Sequence, residues 1–309
     1  MDCSIVVVNY RTEKPLAECL ASLHRNIGPE TYEVIVVDNS ATLLRAGFPD
    51  RFPWVHFVEN RRNVGFARAS NQGLKLARGR HLLLLNPDTL VHDGALGVLI
   101  QYLDTHPRAG AVGPRLLNSD GSLQYSCRRF PGWLTIFFGR YSILTRLLPG
   151  NTGSRRYLYL DRDHGQAAEV DWLTGACLML RRDVVESVGL LDEGYFLFVE
   201  DMDWCRRIRD ADWSIVYLPE ATLTHHVGAS RGPVGPRVVW ARHQSMFRYL
   251  RKHFGAPWPV EALFGLGLLL RAGFEVVLNA AGALGGRGLS QQGELSEPAP
   301  AENKVLQKV

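Results

Sequence analysis

Asp88 closes the stretch Asn86-Pro87-Asp88, directly after four consecutive leucines, and Thr89, His92 and Asp93 follow it. A carboxylate held at the mouth of a buried strand is suited to joining a divalent cation such as Mg²⁺ or Mn²⁺ to substrate phosphates. Pro-Asp also opens turns and caps helices, so this stretch alone leaves both readings open. Asp38 ends "YEVIVVDNSA". There it can accept from a nucleobase N–H or a ribose hydroxyl, or simply build a turn and a helix cap. In "NRRNVGFARASNQGLKLARG", Gly65 permits close backbone approach, and the following helix offers N–H donors to an anion. Arg62, Arg68 and Lys75 add positive charge, although a glycine-bearing loop before an amphipathic helix is common.

Two later stretches add an acid and a base. "YFLFVEDMDWCRRIRDADW" carries Glu200, Asp201 and Asp203 in one helical turn. Acidic groups complement a helix N-terminus, which is the plain reading. Helical spacing puts Asp201 with Cys205 and Ile208 on a partly apolar face, and Glu200 with Asp203 and Trp204 on another. Asp201 is therefore a candidate general base, its pKa expected to rise through burial and through Glu200 and Asp203. "ATLTHHVGAS" places His225 and His226 after a strand-like run, as a metal ligand, a proton partner or ordinary structural imidazoles.

The elements that must hold these residues read as alternating strand and helix. Strands are predicted at residues 4–8, 33–37, 55–58 and 81–85, and helices at 15–25, 67–77 and 94–106. That alternation predicts a mostly parallel sheet covered on both faces, with ligands bound beyond the carboxyl ends of its strands. Asn9, Arg11, Asp38 and Asp88 all stand there. After residue 109 the pattern changes. "NSDGS" signals a hairpin, 125–166 is a long aperiodic excursion, and strand-like segments return at 170–180 and 214–218, with helices at 182–188 and 200–211.

Residues 260–284 are apolar but interrupted by Arg271, Glu275 and Asn279, and the uncharged run 262–270 is well short of the roughly 20 residues of a spanning helix. The segment reads either as a protein-contacting helix or as one lying in a membrane interface. Residues 290–309 are polar and expected to be disordered.

Composition narrows the classes. A formal net charge of +4 on 309 residues is far from the footprint of a nucleic-acid binder and fits anionic substrates or an anionic surface. Five scattered cysteines without a C-x-x-C pair exclude a disulfide framework or structural zinc and fit a reducing compartment. No basic-then-apolar leader precedes the first strand, so no signal peptide is expected. The absence of G-x-S-x-G, G-x-x-x-x-G-K-[ST], H-E-x-x-H and an early G-x-G-x-x-G disfavours serine hydrolysis, P-loop ATP hydrolysis, zinc proteolysis and NAD chemistry.

Taken in order, "IVVVNYR", "VIVVDNSA", "NVGFARASNQG", "LLLLNPDT", "DWLTGACLMLRR", "FLFVEDMDWCRR" and "HHVGAS" resemble the family 2 inverting glycosyltransferases, in particular the bacterial rhamnosyltransferase-like branch acting on cell-surface glycans. The resemblance runs from residue 4 to about 230. It implies an α/β GT-A fold: a nucleotide-sugar-binding half (1–110) and an acceptor-binding, catalytic half (111–255) on one sheet, followed by the apolar helical segment (256–289). It implies further that Asp38 recognises the base, that Asn9 and Arg11 line its pocket, and that Gly65, Asn71 and Asn86 run along the diphosphate and donor sugar. Asp88 matches the last acid of the metal motif, His225 a residue reaching metal or diphosphate, and Asp201 the general base. Trp172, Thr174 and Gly175, with Glu200, match the loop closing on donor and acceptor. The metal motif, usually Asp-x-Asp, reads Asn86-Pro87-Asp88, leaving one carboxylate for Mg²⁺ or Mn²⁺.

The donor implied is dTDP-L-rhamnose, with UDP-hexoses open. The acceptor implied is a lipid-linked glycan, and the expected location is cytoplasmic, peripheral on the inner face of the membrane. The competing readings are a catalytically silent nucleotide- or glycan-binding subunit, a sugar-phosphate nucleotidyltransferase, disfavoured because "NYRTEKPLAE" lacks glycines, and a membrane scaffold.

Overall fold

The computed structural model describes residues 1–26, 28–44, 46–132, 152–160, 162–226 and 235–284. The first part of the chain supplies β1 (Cys3–Asn9), α1 (Glu13–Arg25), β2 (Tyr32–Asp38), α2 (Phe48–Arg51), β3 (Val55–Glu59), α3 (Phe66–Leu76), β4 (His81–Leu85), β5 (Thr89–Val91) and α4 (Ala95–Thr105). There follow β6 (Ala109–Leu117), β7 (Leu123–Gln124), β8 (Cys127–Arg128), α5 (Thr152–Tyr157), β9 (Ala168–Glu169), β10 (Trp172–Leu173), β11 (Cys177–Arg181) and α6 (Arg182–Val188). Last come α7 (Glu200–Asp210), β12 (Ser214–His225), α8 (Pro236–Phe254) and α9 (Trp258–Leu284).

One large sheet runs β3-β2-β1-β4-β11-β6-β12-β5, with β7 paired to β6 and β9 to β12. Its first four strands are parallel, as the early alternation predicts. Beyond β4 the sheet is mixed: β11 runs antiparallel to both β4 and β6, while β12 is parallel to β6 and antiparallel to β5. The insertion of β11 sets Cys177 opposite Leu85, so the chain entering β11 passes the carboxyl end of the leucine strand.

The four leucines explain their own run. Leu83 and Leu85 enter the core on one face of the sheet, Leu82 and Leu84 the core on the other. A strand buried on both faces has no solvent side for polar residues. A third core of Tyr195, Val199, Met202, Tyr249, Leu250 and Leu268 joins the α7 region to α8 and α9. All five cysteines are buried thiols, consistent with the absence of a disulfide framework.

The hairpin expected at "NSDGS" forms between β6 and β7. Residues 214–225 make one strand with an irregularity between Leu218 and Thr222, longer than the predicted 214–218. The sequence pattern missed α8. The excursion at 125–166 lies partly, and the tail at 290–309 wholly, outside the described residues.

Candidate active site

The turn after β4 is built so that Asp88 faces β12. The Asn86 carbonyl accepts from Thr89 N (3.3 Å) and Thr89 Oγ1 (2.7 Å), closing the Asn-Pro-Asp turn. β5 then pairs antiparallel with the end of β12, Thr89 opposite His225, and the His226 amide donates to the Asp88 carbonyl at 2.9 Å. Strand alternation sends the two histidines apart. His226 Nδ1 lies 2.7 Å from Ser119 Oγ, while His225 Nε2 lies 3.2 Å from Asp88 Oδ1, with Asp88 only 5% exposed.

Gln124, on β7, fixes the state of His225. Its Nε2 donates to the His225 carbonyl (3.1 Å) and to Asn118 Oδ1 (2.8 Å), so its Oε1, 2.7 Å from His225 Nδ1, is the acceptor of that ring N–H. The other nitrogen, Nε2, faces the turn after β4. Asn86 Nδ2 stands 3.3 Å from it, and the Asp88 carboxylate lies beside both. Among the described residues no group of three or more His, Cys, Asp or Glu could hold a metal ion. Asp88 and His225, with the Asn86 amide beside them, are the polar groups gathered at this turn. Gln124 escaped the sequence reading, and the hairpin signal beside it was its only trace.

Asp201 is part-buried in the first turn of α7. Its Oδ2 accepts from Gly175 N and its Oδ1 from Met202 N, both at 2.8 Å. Burial pushes its carboxyl above the ordinary carboxylate range, against the pull of those two amides and of the Arg128 guanidinium. Of the two neighbours expected to help raise it, Asp203 is engaged by other partners. Asp203 faces away, fully buried, and accepts from Tyr195 Oη (3.1 Å), Arg207 Nε (3.0 Å), Lys252 Nζ (3.0 Å) and His253 Nε2 (2.8 Å). Burial pushes its pKa up, but His253, Lys252 and Arg207 outweigh that and hold it well below the carboxylate range. Glu200 is buried at the helix start. Phe198 (φ 68°) and Val199 (φ 72°) precede it in the left-handed region, unusual for a β-branched residue and of the kind that clusters at functional sites.

The segment from Trp172 to Ala176 ties the two acids together. β10 pairs with β8, Thr174 N donates to the Ser126 carbonyl (3.0 Å), and the Trp172 indole donates to the Arg129 carbonyl (3.0 Å), with the Arg128 guanidinium 5.5 Å over its ring. Gly175 then donates to Asp201, and the next residue, Ala176, accepts at 2.9 Å from the amide of Asn86, two residues before Asp88. Consecutive Cα atoms are about 3.8 Å apart, so both acid-bearing turns are stapled to one short piece of backbone.

The remaining predicted residues build walls. Asp38 Oδ1 accepts from Asn9 Nδ2 (2.9 Å), Ser40 N (3.0 Å) and Ser40 Oγ (2.7 Å), and Oδ2 from Thr42 N (2.6 Å) and Leu43 N (2.8 Å). Burial raises its pKa, yet these hydrogen bonds outweigh it and keep the group ionised below the usual range. Asn9 Oδ1 holds Thr12 N (3.2 Å) and Thr12 Oγ1 (2.7 Å), fixing the start of α1. Arg11 is exposed at φ 57°, its guanidinium 5.5 Å over the Tyr10 ring. Asn71 clamps Leu191 by Nδ2 to its carbonyl (2.9 Å) and Oδ1 from its amide (3.1 Å). Gly65, at φ 90°, lies so close to Phe196 that a Cβ would stand 2.7 Å from its carbonyl oxygen. A shallow concavity of about 500 Å³ along α4, lined by Glu30, Arg80, Gly97 and Asp104 among others, includes none of these residues.

The solved structure of GalNAc-T7 with UDP, GalNAc and Mn²⁺ superposes with a TM-score of 0.59 at 15% identity, over 81% of this chain and 48% of that one. The class defined by this sheet, with carboxylates at its strand ends, is the GT-A fold. Residues 4–189 match the family described as "Glycosyl transferase family 2". The chain is 30% identical over 270 residues to the N-acetylglucosaminyl-diphospho-decaprenol L-rhamnosyltransferase of Mycobacterium tuberculosis (strain ATCC 25618 / H37Rv), covering 82% of this chain and 85% of that one. It is 25% identical over 258 residues to the rhamnosyltransferase WbbL of Escherichia coli (strain K12), covering 80% and 92%. The chain belongs to glycosyl transferase family 2 and is a glycosyltransferase.

Proposed function

We propose that the protein transfers a sugar, L-rhamnose, from a nucleoside diphosphate (dTDP favoured, UDP open) to a hydroxyl of a lipid-linked glycan, inverting the anomeric centre. The rhamnosyl donor and the lipid-linked acceptor are supported by the names of the two relatives. In this reading residues 1–110 hold the donor and 111–255 the acceptor. The loop that Asp38 and Asn9 brace, with Arg11 at its rim, cradles the base, and Asn71 and Gly65 set the wall along the diphosphate. Asp88 and His225, with Asn86 beside them, would hold a divalent cation. When bound, that ion offsets the charge growing on the departing diphosphate.

Asp201 takes the proton of the acceptor hydroxyl as its oxygen attacks the anomeric carbon from the face opposite the leaving group. Its raised pKa makes it a stronger base than an ordinary carboxylate, and the Gly175 and Met202 amides hold both oxygens in place. Trp172 and Arg128 stand on the neighbouring β10–β8 ribbon, where a sugar ring or phosphate would meet them.

The observation carrying this reading is the pair of hydrogen bonds from adjacent residues, Gly175 to Asp201 and Asn86 to Ala176. It is tested by incubating the purified chain with dTDP-L-rhamnose or UDP-hexoses, a polyprenyl-diphosphate GlcNAc acceptor, and Mg²⁺ or Mn²⁺. Release of nucleoside diphosphate together with a new, inverted glycosidic linkage by NMR is expected. A nucleotide sugar at about 100 times its Kd should also stabilise the fold by roughly 2.7 kcal/mol. Stabilisation without turnover on any acceptor would identify a silent binding subunit instead.

A further inference from the structure

The helix α9 is inside out. Among its described residues every exposed one is apolar or glycine. Leu263 (68% exposed), Leu266, Leu270 (66%), Phe274 and Val277 (64%) recur at three- and four-residue steps and make one continuous stripe. Its ionisable residues point the other way, into α8. Glu261 pairs with Arg251 at 3.1 Å, Glu275 with Arg242, and Arg271 lies on the same inner side, where burial lowers its pKa. A helix in water places its charges outward. Turning charge toward protein and carbon toward the surroundings is the arrangement that lipid imposes.

The stripe is bracketed by tryptophans. Trp258, 79% exposed, begins α9. Trp240, also exposed, sits on α8 just before Arg242, whose pairing with Glu275 places it toward the Val277 end. Indole rings favour the boundary between hydrocarbon and water. Cations stand at both ends of α8, with Arg237 exposed at one and Arg251 and Lys252 at the other. No helix among the described residues is long and apolar enough to cross a membrane.

The geometry points to the outer face of α9 seating on a phospholipid bilayer surface, the helix lying in the interface plane. The alternative occupant, a second copy, is disfavoured by area. From Val260 to Val277 the stripe is about 26 Å long and about 10 Å wide, roughly 260 Å², against about 800 Å² per partner in a stable interface.

The seat is fastened to the chemistry. Lys252 and His253 of α8 bind Asp203, two residues from Asp201, and Lys252 and Arg248 bind Asp192 at 2.8 and 3.0 Å. Ser245 donates to the Leu197 carbonyl at 3.0 Å, just before the strained entry to α7. The base-bearing helix is therefore held in fixed relation to the membrane-facing hairpin, as delivery of a lipid-linked acceptor requires. The choice of bilayer as occupant rests in part on that acceptor reading.

The test is flotation of the full chain with vesicles of phosphatidylcholine and phosphatidylglycerol in equal amounts, beside the L263E/L270E variant. The native chain is expected to float. Each leucine-to-glutamate change should lower partition roughly tenfold or more, since a buried leucine is worth more than the free energy of one decade. The variant should keep its circular dichroism, its melting temperature and its transfer to a short, water-soluble acceptor. A native chain that stays with the soluble fraction, or a variant that floats equally, overturns the proposal. A lipid-free dimer in sedimentation equilibrium that L270E dissociates also overturns it, in favour of a second copy. Flotation that persists in a chain without nucleotide-sugar turnover would instead defeat the functional reading and leave the seat standing.

Discussion

Replacing Asp201 with Asn separates chemistry from architecture. In the native chain one carboxylate oxygen accepts the Gly175 amide and the other the Met202 amide, each at 2.8 Å. Asn keeps one accepting oxygen and turns an NH₂ toward the other amide, losing a hydrogen bond worth about 1 kcal/mol. Ionisation acts in the opposite sense. The folded-state pKa of Asp201 is raised by burial, so the folded chain binds this proton more tightly than the unfolded chain does. Stability therefore falls as pH rises from the unfolded value of about 3.9 through the raised one. At pH 7 the Asn variant escapes that penalty. The two effects offset, and D201N should melt within about 4 °C of the native chain. Turnover should drop roughly 10²–10⁴-fold, the worth of a positioned base, while donor affinity by calorimetry is unchanged. The native kcat/KM profile should show an acid limb above the ordinary carboxylate range, since the base must be ionised, and D201N should lack it. Turnover by D201N within about tenfold of native, or a native acid limb at about pH 4 or below, would refute the assignment.

Gln124→Ala removes the acceptor that fixes His225 and should weaken Mn²⁺ binding roughly 10–100-fold, read by titrating the cation against turnover and against nucleotide affinity; an unchanged cation response would take His225 out of the ligand set. Asp203→Asn leaves Arg207 and Lys252, each part-exposed and still bonded elsewhere, facing a neutral buried group and should cost about 1.5–3 kcal/mol by urea unfolding at pH 7. Because the Asp203 pKa is depressed in the fold, its stabilisation is complete above about pH 4 and is lost as pH falls through the folded value, so the gap between D203N and native should narrow in acid. Gly65→Ala should lose about 1–3 kcal/mol through its φ of 90° and the close Phe196 carbonyl, whereas Gly175→Ala, whose Cβ would meet Asp201 at an ordinary 3.4 Å, should retain both stability and turnover.

Much of the fold was legible because its signals are local. β-branched runs marked β1 to β3, helical spacing marked α1 and α3, and the leucine run marked β4, the strand buried on both faces, while α2 went unread. The turn residues after those strands followed from the rule for parallel sheets. What was not legible depends on distant pairing. Nothing within "CLMLR" says that β11 runs antiparallel between β4 and β6, yet that insertion brings Gly175 and Ala176 to the two acids. The resemblance supplied residues, and the structure divides them into two kinds. Asp38, Asn9, Asn71 and Gly65 are engaged within the chain, holding loops and approaches, while Asp88 and His225 on one side and Asp201 on the other stand at turns joined by the β10–β11 segment. Spacing could not separate these kinds, because a carboxylate ending a strand looks the same whatever its lone pairs meet.

The sharpest case is the pair Asp201 and Asp203, two residues apart on one helix and displaced in opposite directions. Asp203 is fully and Asp201 partly withdrawn from water, and burial alone would raise both. The difference is what each meets. Asp201 receives two backbone amides, which orient it without neutralising it, and feels the Arg128 guanidinium across on β8. Asp203 receives Lys252 and His253 from α8 and Arg207 from its own helix. A single element, α8, therefore does two things: it neutralises the carboxylate that could have competed for a proton, and it fixes the helix that carries the remaining one. Two acids of one type, driven apart by environment, are how a fold assigns a base and a brace from neighbouring positions. In the function proposed above the brace would also tie the base to the apolar hairpin, so an acceptor arriving along that hairpin would meet Asp201 already in place.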